Sequence, residues 1–186
     1  MVGWEPALGA TAPAYSRDMA ETITVQERGQ MIEFSFDDML RYAGPHSPAG
    51  VANAFKALQR AIAVVSPDAP PLRRSIVVRT PFQGPGARDG FEVVTRAVTD
   101  GRYTVDTALA RPELGRLRQS FVFEVSVGDR TVTLLLRDGF VTEEFLDLGT
   151  ASRRTNAEEA RLDALKAQLA QRVMAARAED VYDVSN

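Results

Sequence analysis

A chain of 186 residues that is 45% hydrophobic and 25% charged has the makeup of an ordinary globular protein, long enough for one real core and short for two domains. Its formal net charge of −3, with 22 Lys+Arg against 25 Asp+Glu, supplies no overall field to hold nucleic acid, and without a long apolar run or a charged-then-apolar leader the expected place is the cytoplasm, neither in a membrane nor exported. The absence of cysteine and the presence of a single histidine exclude disulfides, thiolate metal sites and a cysteine nucleophile together.

Residues 1–30 read as a flexible or partner-docking arm. Gly3, Pro6, Gly9 and Pro13 stand among alanines, and Trp4 and Tyr15 are its only aromatics, too little apolar surface to offset the cost of ordering. At its end, Thr22-Ile23-Thr24-Val25 and Met31-Ile32-Glu33-Phe34 flank Arg28-Gly29, the pattern of a short hairpin. Ser35 with Asp37 and Asp38 behind it predicts a helix N-cap with acids in the first turn, running to about Tyr42, where Gly44 and Pro45 end it.

From Pro48 the pattern is one long amphipathic helix. Val51, Phe55, Leu58, Ile62 and Val65 recur on one face at helical spacing. Pro67, Pro70 and Pro71 mark a connection to Ile76-Val77-Val78, which reads as a buried strand. Phe91 to Val98 has two readings. Its β-branched residues favour a strand that pairs through Asp100-Gly101 with Tyr103-Thr104-Val105, whereas a helix places Phe91, Val94 and Val98 on one face. Phe121 to Val127 and Thr131 to Leu136, joined by Gly128-Asp129, predict a hairpin, and Val141 to Leu148 an added edge strand.

The final helix is expected over Ala157 to Arg177, with Thr155 and Glu158 in capping-box spacing. Leu162, Leu165, Leu169, Val173 and Ala176 form a narrow apolar seam that needs a partner surface, on the domain or on a second protomer. The expected organisation is therefore an arm at 1–30, an α+β domain at 31–150 with helices packed on one face of a mixed or antiparallel sheet, and a C-terminal amphipathic helix and tail at 151–186. A homodimer is expected, within a larger complex in one reading.

Two loops concentrate the unusual residues. Gly84-Pro85-Gly86-Ala87-Arg88-Asp89-Gly90 carries three glycines and a proline in seven positions, which shape a backbone that turns sharply or passes close to something, here read as the rim of a site. Gly44-Pro45-His46-Ser47-Pro48-Ala49-Gly50 holds the only histidine and opens the long helix, whose first amides lack intrahelical partners and attract an anion or a polar ligand atom. Arg73, Arg74, Arg88 and Arg96 are candidates to line an anion site. GPGARDG lacks the Lys-Ser/Thr ending of a Walker loop, and Ser47 lacks a nucleophile elbow, so nucleotide binding and serine catalysis are not expected.

The two loops and the order of elements resemble the FmdE family of formylmethanofuran dehydrogenase components over about Phe34 to Leu136. That family has a short helix, an HGHxCPG-like motif and a long helix. The counterpart here is Ala43-Gly44-Pro45-His46-Ser47-Pro48-Ala49-Gly50. Its second motif, DGxQxVTG, corresponds to Asp89-Gly90-Phe91-Glu92-Val93-Val94-Thr95-Arg96, with Glu92 at the glutamine position and Arg96 at the last. The resemblance implies that Asp89-Gly90 opens a second helix and that both motifs border one cleft. In that cleft His46 and Asp89 are the acid-base candidates, and Ser47, Gly50, Gly86, Arg88, Gly90, Glu92 and Arg96 bind a small polar or anionic ligand. Both family cysteines and the zinc ribbon of some members are missing, so no transition metal and no cofactor are expected. Two alternatives remain. With Phe91 to Val98 as a strand, a central helix followed by five strands describes a hotdog-fold thioesterase or hydratase working at a dimer interface. A noncatalytic assembly protein is the other.

Overall fold

A computed structural model describes residues 21–185. The part of the expected arm that carries Trp4 and Tyr15 lies outside the described residues. Residues 22–30, assigned to the same arm, instead belong to the fold. Strands β1 (Thr22–Glu27) and β2 (Gln30–Ser35) form the expected antiparallel hairpin. Its two-residue turn places Arg28 at φ 51° and Gly29 at φ 80°, the left-handed pair that matches the twist of a tight hairpin. Ser35 then caps helix α1 (Phe36–Ala43). The Asp38 amide donates to Ser35 Oγ at 3.2 Å and the Ser35 amide donates to Asp38 at 2.9 Å, a reciprocal box that satisfies two orphan donors.

Helix α2 (Pro48–Val65) is the spine of the core. Nearly every residue from Ala49 to Leu58 is buried, because α1, the β1–β2 hairpin, the sheet and three further helices all pack on it. The sheet has the order β4-β3-β5-β6-β7, with β3 at Ile76–Thr80, β4 at Tyr103–Val105, β5 at Val122–Val127, β6 at Arg130–Leu136 and β7 at Tyr182–Ser185. β3 and β4 are parallel and all other neighbours antiparallel, so the molecule is α+β with a mixed sheet. Register puts Val78, Val125 and Val132 in one row and Phe123 beside Leu134, all buried. The opposite face carries Arg79 opposite Glu124, an ion pair at 2.6 Å, and Glu124 opposite Thr133. The period-2 alternation thus separates a core face from a polar one.

Three readings are decided or corrected here. Phe91 to Val98 is not a strand. Residues Pro85–Thr95 form helix α3, and the strand that the hotdog reading requires is absent from that segment. A parallel pair needs a crossover, and α3 is the crossover between β3 and β4. Tertiary demand overrides the β-branched run Val93-Val94-Thr95. Asp89-Gly90 does not open this helix either, since it begins at Pro85 and the glycine loop forms its first turns. Second, Val141 to Leu148 holds no edge strand. Thr142 caps helix α4 (Glu143–Thr150) by accepting from the Phe145 amide at 3.2 Å, with Glu143 and Glu144 in the first turn. The edge position is taken by β7.

Third, the C-terminal segment is not an appendage. Helix α5 (Asn156–Ala175) has the expected capping box at Thr155 and Glu158. Its seam is already covered: Leu162, Leu165, Leu169 and Val173 are buried against α2 and α4 of the same chain. A short helix α6 (Ala178–Val181) then delivers β7 to the sheet. The seam thus packs on the domain, one of the two surfaces that the sequence left open for it.

Tyr182 shows how tightly the end is built in. Its ring lies edge-on to Phe123 at 5.8 Å, and its hydroxyl donates to Asn53 Oδ1 at 2.6 Å while Asn53 Nδ2 donates to the Ala49 carbonyl at 2.8 Å. Burial pushes the phenol well above its ordinary value, so it remains a donor. Tyr182→Phe leaves Asn53 Oδ1 buried without a donor and is expected to cost about 1–3 kcal/mol. Urea unfolding with an unchanged midpoint would show that the bond contributes nothing.

Candidate functional site

The two loops singled out by their glycines and prolines do meet. α2 and α3 run in the same direction with their N-termini side by side. A Cβ built on Gly86 would lie 2.4 Å from the Ser47 carbonyl oxygen, and one on Gly50 would lie 2.6 Å from the Ala87 amide nitrogen. One turn further, a Cβ on Gly90 would lie 2.7 Å from Ala54 Cβ. The something that these backbones approach is each other. Gly50 and Ala54 on α2, and Gly86 and Gly90 on α3, are small residues four apart, the spacing that lets two helices touch at backbone distance. That spacing is visible in the sequence, and it assigns these glycines to helix packing before any ligand is considered.

Both helix starts are left bare. Ser47 precedes α2 and Gly84 precedes α3 without a side-chain cap, each helix has Pro at its first position, and neither has an acid in its first turn. α1, α4 and α5 each have a side-chain cap and acids there. The other end of α3 is heavily supported. Arg73 donates to the Val94 carbonyl at 2.8 Å and the Val93 carbonyl at 2.6 Å, and Arg102 donates to the Thr95 carbonyl at 2.9 Å. Two guanidiniums thus neutralise the negative end of the helix dipole while its positive end faces outward, beside the positive end of a parallel neighbour. No motif in the sequence marks Arg73 or Arg102 for this work, because their partners lie 20 and 7 residues away in the chain.

The residues expected at the site separate into two groups. His46 is exposed beside Ser47, and Ser47, Gly50 and Gly86 are in contact at the paired N-termini. Arg88, in the first turns of α3, is 54% exposed and has only a 3.7 Å contact with Asp89. Its charge also reaches Tyr103, whose phenol burial pushes up to about 12 against the pull of Arg88. Asp89 is partly exposed, one turn past Gly86. Gly90, Glu92 and Arg96 lie progressively further along α3. Arg96 is its C-cap at φ 56°, about 15 Å from Gly86 at 1.5 Å rise per residue, so the helix does not bring it to the His46 end. Glu92 is buried and already engaged. It accepts from the Val98 amide at 2.8 Å, the Thr99 amide at 3.1 Å and the Thr99 hydroxyl, with Arg96 at 3.4 Å. Burial alone would raise its carboxyl, but these donors and the Arg96 charge outweigh it and hold it below the ordinary value. It shapes the turn after α3.

Arg73 and Arg74, the other candidates for an anion site, are held by Glu27 and Asp100. Among the described residues no group of three or more His, Asp or Glu side chains is placed to hold a metal ion, and no helix is long and apolar enough to cross a membrane. What remains at the joined N-termini is a set of unengaged first-turn amides, one imidazole, one hydroxyl and one largely free guanidinium. That is equipment for holding negative charge. No protein-family model and no curated protein sequence matches this chain.

Proposed function

We propose that this chain binds a small anionic molecule, a phosphate or carboxylate, across the paired N-termini of α2 and α3. One observation carries the reading: two parallel helices begin in contact at Ser47 and Gly86, and neither start has a side-chain cap or an acid. Two aligned dipoles side by side repel, and an anion at their common positive end relieves that repulsion while accepting from first-turn amides. Gly50 and Gly86 keep the helix starts close, Arg88 supplies a charged hydrogen-bond fork, and His46 and Ser47 supply further donors at the rim. This is also the cleft that the resemblance to the FmdE family implies for His46 and Asp89. Asp89 lies 3.7 Å from the Arg88 guanidinium, and no acid-base step is assigned.

The test is a titration of phosphate, sulfate and acetate at constant ionic strength, followed by amide chemical shifts. Saturable shifts are expected at Ala49, Gly50, Gly86 and Ala87, and Arg88→Ala is expected to weaken binding by about tenfold, the loss of one charged hydrogen-bonding group. Shifts that do not saturate, or that chloride reproduces, would remove the proposal.

A further inference from the structure

The four residues between β3 and α3 fix where α3 begins. Thr80, the last residue of β3, is fully buried, and its hydroxyl is used twice. It donates to the Val122 carbonyl of β5 at 2.6 Å and accepts from the Phe82 amide at 3.0 Å. The Thr80 carbonyl accepts from the Asp106 amide at 2.8 Å, just past β4. The chain is therefore tied to both neighbouring strands as it leaves the sheet. Phe82 then lays its ring on Phe121 and Phe123, with centroids 4.7 and 6.1 Å apart. The same ring backs Gly84, the residue before α3: a Cβ there would lie 2.4 Å from Phe82 Cε1 and 2.7 Å from Cζ. Gly84 has an ordinary φ of −65°, so glycine stands here for lack of room and not for backbone freedom. Its carbonyl accepts from the Arg88 amide at 3.4 Å and so starts the helix.

We infer that Thr80 and Phe82 are positioning residues for the anion site at the joined starts of α2 and α3, an assignment that rests on the function proposed above. Two like dipole ends in contact repel, and no side-chain cap at Ser47 or Gly84 offsets that repulsion before an anion arrives. The link works against it, tied to β5 through Thr80 and backed by the Phe121 and Phe123 rings through Phe82. Arg73 and Arg102 hold only the far end of α3. A first turn fixed in advance has no ordering left to lose on binding. A start free to swing would hold the Gly86 and Ala87 amides at no fixed distance from those of Ala49 and Gly50. Thr80, fully buried, acts through the backbone that it holds.

Inorganic phosphate titrated into the full-length chain, read by the Gly86 and Ala87 amide shifts, tests this. Thr80→Val keeps the branched shape and loses both hydroxyl bonds, and it is expected to weaken phosphate at least about fivefold as preorganisation is lost. Thr80→Ser keeps the hydroxyl and is expected to restore the affinity. The matched control is Thr95→Val. Thr95 is also fully buried, and its hydroxyl donates to the Phe91 carbonyl at 2.6 Å and accepts from the Ala97 amide at 3.1 Å, but at the far end of α3. Its loss is expected to lower stability and leave the affinity unchanged. Gly84→Ala removes no bond, sets a new Cβ against the Phe82 ring, and is expected to weaken phosphate as well. Equal affinity in Thr80→Val and the unmodified chain would overturn the assignment while the anion site stands, and so would an equal loss in Thr95→Val. If Thr80→Val fails to fold, unchanged affinity in Gly84→Ala overturns it. An unmodified chain with no saturable phosphate shift would overturn the anion reading and this assignment together.

Discussion

Gly86→Val is expected to cost about 3 kcal/mol or more, whereas Gly149→Ala is expected to stabilise the protein by about 0.5 kcal/mol. Both glycines lie in helices, where exchange for a residue with a Cβ lowers the backbone entropy lost on folding. At Gly149 of α4 nothing lies within 4 Å of a new Cβ, so only that gain is felt. At Gly86 the new carbon would sit 2.4 Å from the Ser47 carbonyl oxygen and 2.6 Å from Ser47 Cβ. Backbone cannot rotate away as a long side chain can, so α2 and α3 must separate, and overpacking of this kind costs at the upper end of its usual range. Gly90→Ala should be milder, because one of its two near neighbours is the flexible Met39 Cε at 3.1 Å. Thermal and urea unfolding of the three variants give the order. Equal, small effects at all three positions would show that the helices do not meet at backbone distance, and the anion proposal would lose its geometry as well.

The fold was legible wherever one local signal sufficed. Ser35 with Asp38 and Thr155 with Glu158 mark helix starts by chemistry within four residues, and Arg28-Gly29 marks a hairpin by backbone conformation alone. Val93-Val94-Thr95 left Phe91 to Val98 open between strand and helix, because strand propensity describes fit to a half-buried pleated surface, and packing of α3 on α1 and α2 decides for the helix. Val141 to Leu148 misled through its apolar residues, although Thr142-Glu143-Glu144 carries an N-cap and two first-turn acids. The meeting of the His46 and Gly86 loops was legible as a juxtaposition, but its cause was not. Reading the glycines singly pointed to a rim around a ligand, and reading them as pairs four apart points to helix contact. Arg73 stood out only as an anion-site candidate and Arg102 in no pattern, since the work each does at the end of α3 depends on chain segments brought together only by folding.

Deleting everything after Ser152 is expected to leave a chain that does not fold cooperatively. An accessory dimerisation helix could be removed and leave an intact monomer, but α5 and β7 are structural. Leu169, Ala170, Val173, Val181 and Tyr182 belong to the same core cluster as Phe55 of α2 and Phe123 of β5. At about 1.5–3 kcal/mol for each large apolar side chain buried, their loss amounts to roughly 10 kcal/mol, comparable with the entire stability of a typical domain. The deletion also strips the Tyr182 donor from Asn53 and uncovers β6, whose Thr133 to Leu136 pair with β7. A shorter deletion after Arg177 removes Val181, Tyr182 and the edge strand but keeps α5 on α2, so it should retain helical circular dichroism with a lower and broader melting transition. Amide spectra distinguish the outcomes directly. A dispersed spectrum and a sharp melt from the chain ending at Ser152 would show that residues 22–150 fold alone and that α5 is free to serve a partner after all.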